Sequence, residues 1–142
     1  TKKGGWAKYA AEMDLKVGQA TVEFWPEHDY SRANDTPEMR KNALLHMIDP
    51  QIGYEELQPK SFAELVSALL DNRPTTMGLA WWGHLVFGLR PVIIERGSIG
   101  IEIMNSWKKT WENGGKAVLR KERAIADEML MIKCVRPIAK AA

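Results

Sequence analysis

The stretch Asn105–Gly115, which reads NSWKKTWENGG, decides the interpretation of this chain together with Gly83-His84-Leu85-Val86 upstream of it. The histidine opens a hydrophobic run, and an Asn-Ser-Trp sequence with a second tryptophan follows later in the chain. The pattern predicts an imidazole that is oriented by a side-chain amide and shielded by indole rings. A cysteine nucleophile requires a base that is held in this way. The two segments therefore predict a nucleophilic chemistry, although neither of them contains a cysteine.

Length and composition fit one globular domain. The chain has 142 residues, of which 45% are hydrophobic, and it contains six Trp and seven Met. A net charge of +2 is too small to indicate a nucleic-acid partner. No apolar run approaches the roughly 20 residues that cross a membrane, and no signal peptide is recognisable. We therefore expect a chain that binds neither nucleic acid nor membrane.

The cysteine and histidine content argues against a metal site. Cys134 is the single cysteine, which excludes an internal disulfide and a cysteine-based zinc site. The three histidines lie far apart and lack an H-E-x-x-H frame, so neither a metal nor a cofactor is predicted. Cys134 lies within an apolar β-pattern over residues 129–135, where a small buried side chain is the ordinary expectation.

Helical signals are confined to the first half of the chain. The segment Gly5–Lys16 has the spacing of a short amphipathic helix that Gly18 would end. Its apolar face would consist of Trp6, Tyr9, Ala10 and Met13. Residues 20–24 are expected to be extended. A second helix starts at the N-cap Thr36 and runs to about residue 47.

The third helix leads into a series of strands. Ser61 and Glu64 have the spacing of a capping box, and the helix that follows would bury Phe62, Leu65, Val66, Leu69 and Leu70. Strands are predicted at 75–79, 85–87, 91–95, 99–104, 116–119 and 129–135. The prediction is an α+β fold in a single domain over 1–142, with N-terminal helices (about 1–72) followed by an antiparallel β-meander or half-barrel (about 73–142).

The histidine and asparagine segments resemble the papain-like cysteine peptidase family. Its histidine begins a strand in a G-H-x-V context, and its asparagine lies in N-S-W-G-x-x-W-G-x-x-G. The positions that match are His84, Asn105, Ser106, Trp107, Trp111 and Gly115. Lys108 and Glu112 stand where the family usually has glycine, a departure expected to alter the loop beside the histidine.

The resemblance extends to the other end of the chain. Gly4-Gly5-Trp6 is similar to the family's G-G-[YW] segment, which implies that Gly5 pairs its backbone with a bound peptide. Trp6 and Ala7 would then line the neighbouring side-chain pocket; the plain alternative is a turn that leads into a helix. Matches to the short bacteriophage and prophage form of the family are Trp25-Pro26, Asp35-Thr36-Pro37-Glu38 and Trp81-Trp82-Gly83-His84.

The resemblance implies a role for each matched side chain. His84 would take the proton of a thiol and later protonate the leaving amine. The Asn105 oxygen would accept a hydrogen bond from the other ring N–H and fix the tautomer. Trp107 would cover that bond, with Trp111 and Ser106 in support. Alternatively, the two tryptophans are simply core aromatics.

The family's nucleophile is expected upstream of this chain. In the family a Cys-Trp segment at a helix N-terminus lies about 130 residues before the histidine, which places it roughly fifty residues before Thr1. We therefore expect a papain-like portion without its nucleophile helix, incomplete at its N-terminus. Its partners would be a peptide or protein substrate, the N-terminal segment of the same protein or a partner chain, and virion proteins.

Three functions remain open from the sequence. The first is a papain-like cysteine peptidase of the phage type. The second is a catalytically inactive papain-like domain that serves as a structural or binding component, for example of a virion. The third is an unrelated α+β domain in which the Asn-Ser-Trp match is accidental. The distance between the His84 ring and the Asn105 side chain distinguishes the third from the others.

Basic residues are concentrated after the Asn-Ser-Trp sequence. Residues 108–123 hold six lysines and arginines against Glu112 and Glu122. The cluster is either a solvated face around a hairpin or a patch for a polyanion or partner. Lys108 and Lys109 would favour acidic peptides if they line the cleft.

Overall fold

The computed structural model describes residues 7–26, 29, 31–49, 51, 53–107 and 109–133. These residues form two compact units. The first comprises the described residues up to Tyr54 together with Lys133, and the second is Glu55–Ile132. The prediction of a single domain over 1–142 stays a prediction.

The first unit is helical. Its elements are α1 (Ala7–Val17), a 3₁₀ turn (Arg32–Asn34), α2 (Pro37–Ala43) and a second 3₁₀ turn (Leu44–His46). The predicted first helix is present. It buries Ala7 and Ala11, whereas Tyr9 and Met13 of the predicted apolar face are exposed.

Both helix ends of this unit follow their predicted signals. Gly18 ends α1 with a φ of +70°, and its N–H donates to the Asp14 carbonyl at 3.1 Å. The Thr36 hydroxyl accepts from the Met39 N–H at 3.1 Å and caps α2, with Pro37 at the first helical position. The second helix is shorter than predicted, because the 3₁₀ turn Leu44–His46 replaces its last turn.

The prediction of an extended segment over residues 20–24 was wrong. The Thr21 carbonyl accepts from the N–H groups of Phe24 and Trp25 at 3.0 and 2.9 Å, which makes a turn. The Thr21 N–H donates to the side-chain oxygen of Asn42 at 2.8 Å. A contact with a residue this distant in the chain therefore anchors the turn.

A cleft of about 980 Å³ lies within the first unit, between the end of α1 and α2. Met13, Val17 and Met39 contribute apolar lining, and Asp35 and Arg40 contribute charge. The Arg40 guanidinium makes two hydrogen bonds to the Asp35 carboxylate, at 2.6 and 2.8 Å. Hydrogen bonding to this guanidinium holds the pKa of Asp35 below its ordinary value.

The second unit is a sheet with one helix, α3 (Phe62–Leu70). The strands are β1 (Tyr54–Glu56), β2 (Thr75–Leu79), β3 (His84–Ile93), β4 (Ile99–Met104), β5 (Lys116–Leu119) and β6 (Glu128–Ile132). They form a six-stranded sheet in the order β1-β6-β2-β3-β4-β5. The meander from β2 to β5 is antiparallel, as predicted, but the two strands predicted at 85–87 and 91–95 are one continuous strand, β3. Strand β6 returns to pair antiparallel with the free edge of β2. The fold is α+β, which confirms the predicted class.

The core of the second unit lies between α3 and the sheet. Leu65 and Leu69 from the helix and Met77, Ile101 and Ile103 from the strands are almost fully buried. Leu70, predicted to be buried, is 69% exposed. Leu70 is the last residue of α3, so no following turn of helix covers it.

The start of α3 confirms half of the predicted capping box. The Ser61 hydroxyl accepts from the Glu64 N–H at 3.4 Å. The Glu64 carboxylate, however, accepts from the Gln58 N–H at 2.8 Å, because the Ser61 N–H already donates to the Gln58 carbonyl at 3.0 Å. The Glu64 carboxylate therefore binds Gln58, three residues before the N-cap, and not the N–H of the N-cap residue Ser61.

Candidate active site

A tight turn places His84 at the first position of β3. The Leu79 carbonyl at the end of β2 accepts from the N–H groups of Trp82 and Gly83 at 3.0 and 2.8 Å. Gly83 has a φ of +63°, a left-handed conformation that costs glycine little. His84 then pairs with Leu79 across the strands, so its backbone position is set by the β2–β3 register.

Strand alternation puts the His84 and Asn105 side chains on the same face of the sheet. Side chains two residues apart in a strand share a face. Asn105 follows the buried residues Ile101 and Ile103 at this spacing, and it is only 5% exposed. His84 precedes the buried Val86 at the same spacing. The core face of the sheet therefore ends in the imidazole and the amide.

These two side chains form a hydrogen bond. The distance between His84 Nε2 and Asn105 Oδ1 is 2.8 Å. An amide oxygen can only accept, so Nε2 carries the hydrogen and the lone pair of the neutral ring is on Nδ1. Among the described residues, no side chain or backbone group forms a hydrogen bond with Nδ1. The imidazole is thus oriented and left with one unused basic nitrogen.

Two tryptophans contact the imidazole, and two more pack against those tryptophans. The rings of Trp82 and Trp107 lie 5.1 and 5.2 Å from the His84 ring, measured between centroids. Trp111 contacts both indoles, at 6.1 and 5.7 Å. Trp81 stacks on Trp82 at 5.4 Å with an interplanar angle of 15°. Since apolar rings exclude water, they strengthen the hydrogen bond that they cover.

The segment between Asn105 and Gly115 forms a closed loop. The Asn105 N–H donates to the Gly115 carbonyl at 2.9 Å, and the Gly115 N–H donates to the Trp111 carbonyl at 2.8 Å. Glu112, one of the two departures from the family pattern, has a φ of +45°. This left-handed conformation favours glycine, so the glutamate occupies it at a cost in free energy. Lys108, the other departure, lies outside the described residues.

We expect Glu112→Gly to stabilise the protein. Glycine adopts the left-handed conformation without strain, and this gain exceeds the extra entropy of its unfolded chain. The free energy of unfolding should rise by about 0.5–1 kcal/mol, measured by urea denaturation. The control is Glu112→Ala, which removes the same charge but keeps the Cβ atom. Equal stabilisation by both variants would contradict the backbone explanation.

The structure brings together four of the predicted site residues, His84, Asn105, Trp107 and Trp111. Ser106 is exposed in the loop. Ala7 is buried at the start of α1, in the first unit. The other predicted substrate-binding residues, Gly5 and Trp6, lie outside the described residues, as does Cys134. Their predicted roles remain predictions.

Asp127 and Trp82 support the site and were not among the predicted site residues. One carboxylate oxygen of Asp127 accepts from the Ala80 N–H at 2.8 Å, and the Asp127 N–H donates to the Gly78 carbonyl at 2.8 Å. The first bond fastens the turn that precedes His84, and the second holds the end of β2 that leads into this turn. Trp82 was visible in the sequence as half of a Trp-Trp pair, but its contact with the imidazole depends on the turn geometry. No sequence signal marks Asp127.

Two further properties of the described residues bear on the class of site. No group of three or more His, Cys, Asp and Glu side chains among them is placed to hold a metal ion. None of their helices has the length and apolar character needed to span a membrane.

Solved structures of papain-like proteases share this fold. Procathepsin L 3 from the larval midgut of Tenebrio molitor superimposes with a TM-score of 0.71 at 16% identity, over 89% of this chain and 48% of that chain. The proform of the ragweed pollen cysteine protease Amb a 11 gives 0.70 at 17% identity, over 91% and 47%. Bromelain from Ananas comosus, in complex with the inhibitor E64, gives 0.66 at 18% identity, over 89% and 68%. Neither a protein-family model nor a curated protein matches the sequence.

The chain therefore has the papain-like α+β fold. It spans about half the length of the first two proteins that it resembles. At these identities the likeness concerns the fold, and the chemistry has to be argued from the site.

Proposed function

We propose that this chain carries the base of a papain-like cysteine peptidase. The observation that carries the proposal is the 2.8 Å hydrogen bond between His84 Nε2 and Asn105 Oδ1, which leaves Nδ1 to receive a proton. In this mechanism His84 Nδ1 takes the proton of a cysteine thiol and gives a thiolate–imidazolium pair. The thiolate attacks the peptide carbonyl, and His84 then protonates the leaving amine.

Asn105 suits the role of an orienting group. Its side-chain oxygen accepts from the ring without adding a charge, so the imidazolium is not neutralised by its own partner. The amide is buried, which keeps water from competing for the bond. Asn105 Nδ2 is buried as well, and it has no hydrogen-bond acceptor among the described residues.

The nucleophile belongs, in this proposal, to a segment upstream of this chain. The family places a Cys-Trp segment roughly fifty residues before Thr1. The substrate would be a peptide or protein, and Gly5, Trp6 and Ala7 would help to bind it. Trp25-Pro26, Asp35-Thr36-Pro37-Glu38 and Trp81-Trp82-Gly83-His84 support the bacteriophage-type form of the family. Virion proteins are further partners under this proposal.

Thiol labelling of the full-length encoded protein tests the proposal. E64, which is bound to bromelain in the solved complex, should attach to one cysteine and stop the cleavage of a peptide library. Reading the gene upstream of Thr1 should reveal that cysteine before a tryptophan and a predicted helix. A serine, a glycine or an unrelated sequence at that place, with neither labelling nor turnover, would contradict the peptidase. The same result would support an inactive structural or binding module.

Variants of Asn105 test whether this side chain orients the His84 imidazole for catalysis. Asn105→Ala should lower kcat/KM by about 10- to 100-fold, because the imidazole loses its fixed rotation but keeps its basicity. Asn105→Asp keeps an accepting oxygen and adds a negative charge that stabilises the imidazolium. It should therefore move the alkaline limb of the pH–rate profile to higher pH. Identical pH–rate profiles for Asn105→Asp and the original protein would argue against a contact between residue 105 and the catalytic base.

A further inference from the structure

An exposed arginine lies at the edge of the tryptophan cluster. Arg123 belongs to the 3₁₀ turn Lys121–Ala124, which precedes β6. Its guanidinium carbon lies 5.2 Å from the centroid of the Trp81 ring. The Trp81 indole N–H donates to the Arg123 carbonyl at 3.3 Å. Trp81 thus contacts both the backbone and the side chain of the arginine, which pre-organises the guanidinium.

The Arg123 guanidinium forms no ion pair within the described part of the chain. No carboxylate of the described residues lies within ion-pair distance of its guanidinium. The neighbouring Arg120, in contrast, pairs with Glu95 at 3.9 Å. A guanidinium that lies over an indole face is held by the ring without using its N–H groups, which can still donate to a carboxylate. The planar fork matches the two oxygens of such a group.

The guanidinium is within reach of a peptide bound at His84. Three steps connect it to the imidazole, from Arg123 to Trp81, to Trp82 and to His84, and each is between 5.1 and 5.4 Å long. An extended peptide advances about 3.3 Å per residue, so Arg123 lies no more than about five residues from the bond at the imidazole. Trp81 is 47% exposed, which leaves part of its ring surface accessible to a ligand.

We propose that Trp81 and Arg123 form a specificity subsite for an acidic side chain of the substrate, within five residues of the cleaved bond. The inference rests on the proposed peptidase function, because it assigns a substrate preference to that site. The aliphatic part of a glutamate would contact the exposed indole, and its carboxylate would accept from the guanidinium. Neither Lys108 nor Lys109 is needed for this preference.

Matched peptides test the subsite in the full-length protein. The peptides are acetylated and amidated, with one glutamate or one glutamine placed in turn at each position up to five residues from the cleaved bond. At one position the glutamate peptide should have a kcat/KM about three- to tenfold higher than its glutamine twin, the range of a partly exposed charged pair. The ratio should fall as salt is added, because exposed charges are screened. Peptides with a free C-terminal carboxylate distinguish a chain terminus from a side chain as the group that binds.

Two substitutions locate the preference. Arg123→Gln should reduce the glutamate-to-glutamine ratio to about one. Arg123→Lys should keep part of the ratio, because it retains the charge but not the planar fork. Arg120→Gln is the control from the same segment and should keep the full ratio.

A binding measurement makes the inference testable without turnover. The glutamate and glutamine peptides are titrated into the full-length His84→Ala variant and followed by tryptophan fluorescence. Equal affinities for both peptides would overturn the subsite, as would an Arg123→Gln variant that keeps the preference. Cleavage of all the peptides without a glutamate preference would overturn the subsite and leave the peptidase standing. If the His84→Ala variant binds the glutamate peptide more tightly but the original protein cleaves no peptide, the subsite stands and the peptidase function is overturned.

Discussion

Replacing His84 with alanine in the full-length protein should abolish peptide hydrolysis. The substitution removes the nitrogen that would receive the thiol proton, and general acid–base catalysis of this kind contributes about 10²- to 10⁴-fold. The loss should appear in kcat and in kcat/KM together, because the missing interaction acts in the transition state. Steady-state kinetics with a fluorogenic peptide measures it. The Asn105→Ala variant should retain more activity than the His84 variant.

A second histidine supplies the control for this experiment. His46 lies in the 3₁₀ turn that follows α2, and His46→Ala should retain activity. The His84→Ala variant should also keep the circular dichroism spectrum of the original protein, since a half-buried ring at a strand start is removed without opening the core. Full activity in the His84 variant would refute the assignment of the base.

Replacing Gly18 with alanine should give the largest loss of stability. A Cβ atom at this position would lie 1.9 Å from the Ala43 carbonyl oxygen at the end of α2. Both groups are backbone-fixed, so either α1 or α2 would have to shift. Alanine also disfavours the φ of +70°. Together these effects should lower the free energy of unfolding by about 2–4 kcal/mol, measured by urea denaturation.

Gly53 separates the two causes of this loss. It has a similar φ of +67°, but a Cβ atom built on it would meet no atom of the described residues within 4 Å, its two chain neighbours aside. Gly53→Ala should therefore cost only the backbone strain, about 1–2 kcal/mol. If both variants lost the same stability, the close approach between Gly18 and Ala43 would not be the reason.

Local signals in the sequence were the reliable ones. The N-cap Thr36 and the helix stop Gly18 act within a few residues, so their effect can be predicted without a fold. The strands of the meander were predictable because apolar side chains alternate in a half-buried sheet. The predicted burial of Leu70 and the predicted extended conformation of residues 20–24 were wrong, because both depend on distant parts of the chain. The exposure of Leu70 depends on where α3 ends over the sheet, and the turn after Thr21 depends on the distant side chain of Asn42.

The pairing of His84 with Asn105 was predicted from the pattern of the two segments and from the resemblance to a known family, and not from any rule of strand pairing. Two polar residues at strand ends carry no physical signal that they meet, because the register of β3 on β4 decides it. The same holds for the contact between Trp82 and the imidazole. Asp127 could not be predicted at all, because an aspartate before a strand has the composition of an ordinary turn residue.

The hydrogen bonds of Asp127 can form only late in the synthesis of the chain. Ribosomes release the chain from its N-terminus, so β2, the turn and β3 emerge well before residue 127. Until then the Ala80 N–H lacks its acceptor, and β2 has a bare edge in place of β6. A nascent chain that ends short of residue 127 thus contains the imidazole and its amide, but not the tether that aligns them.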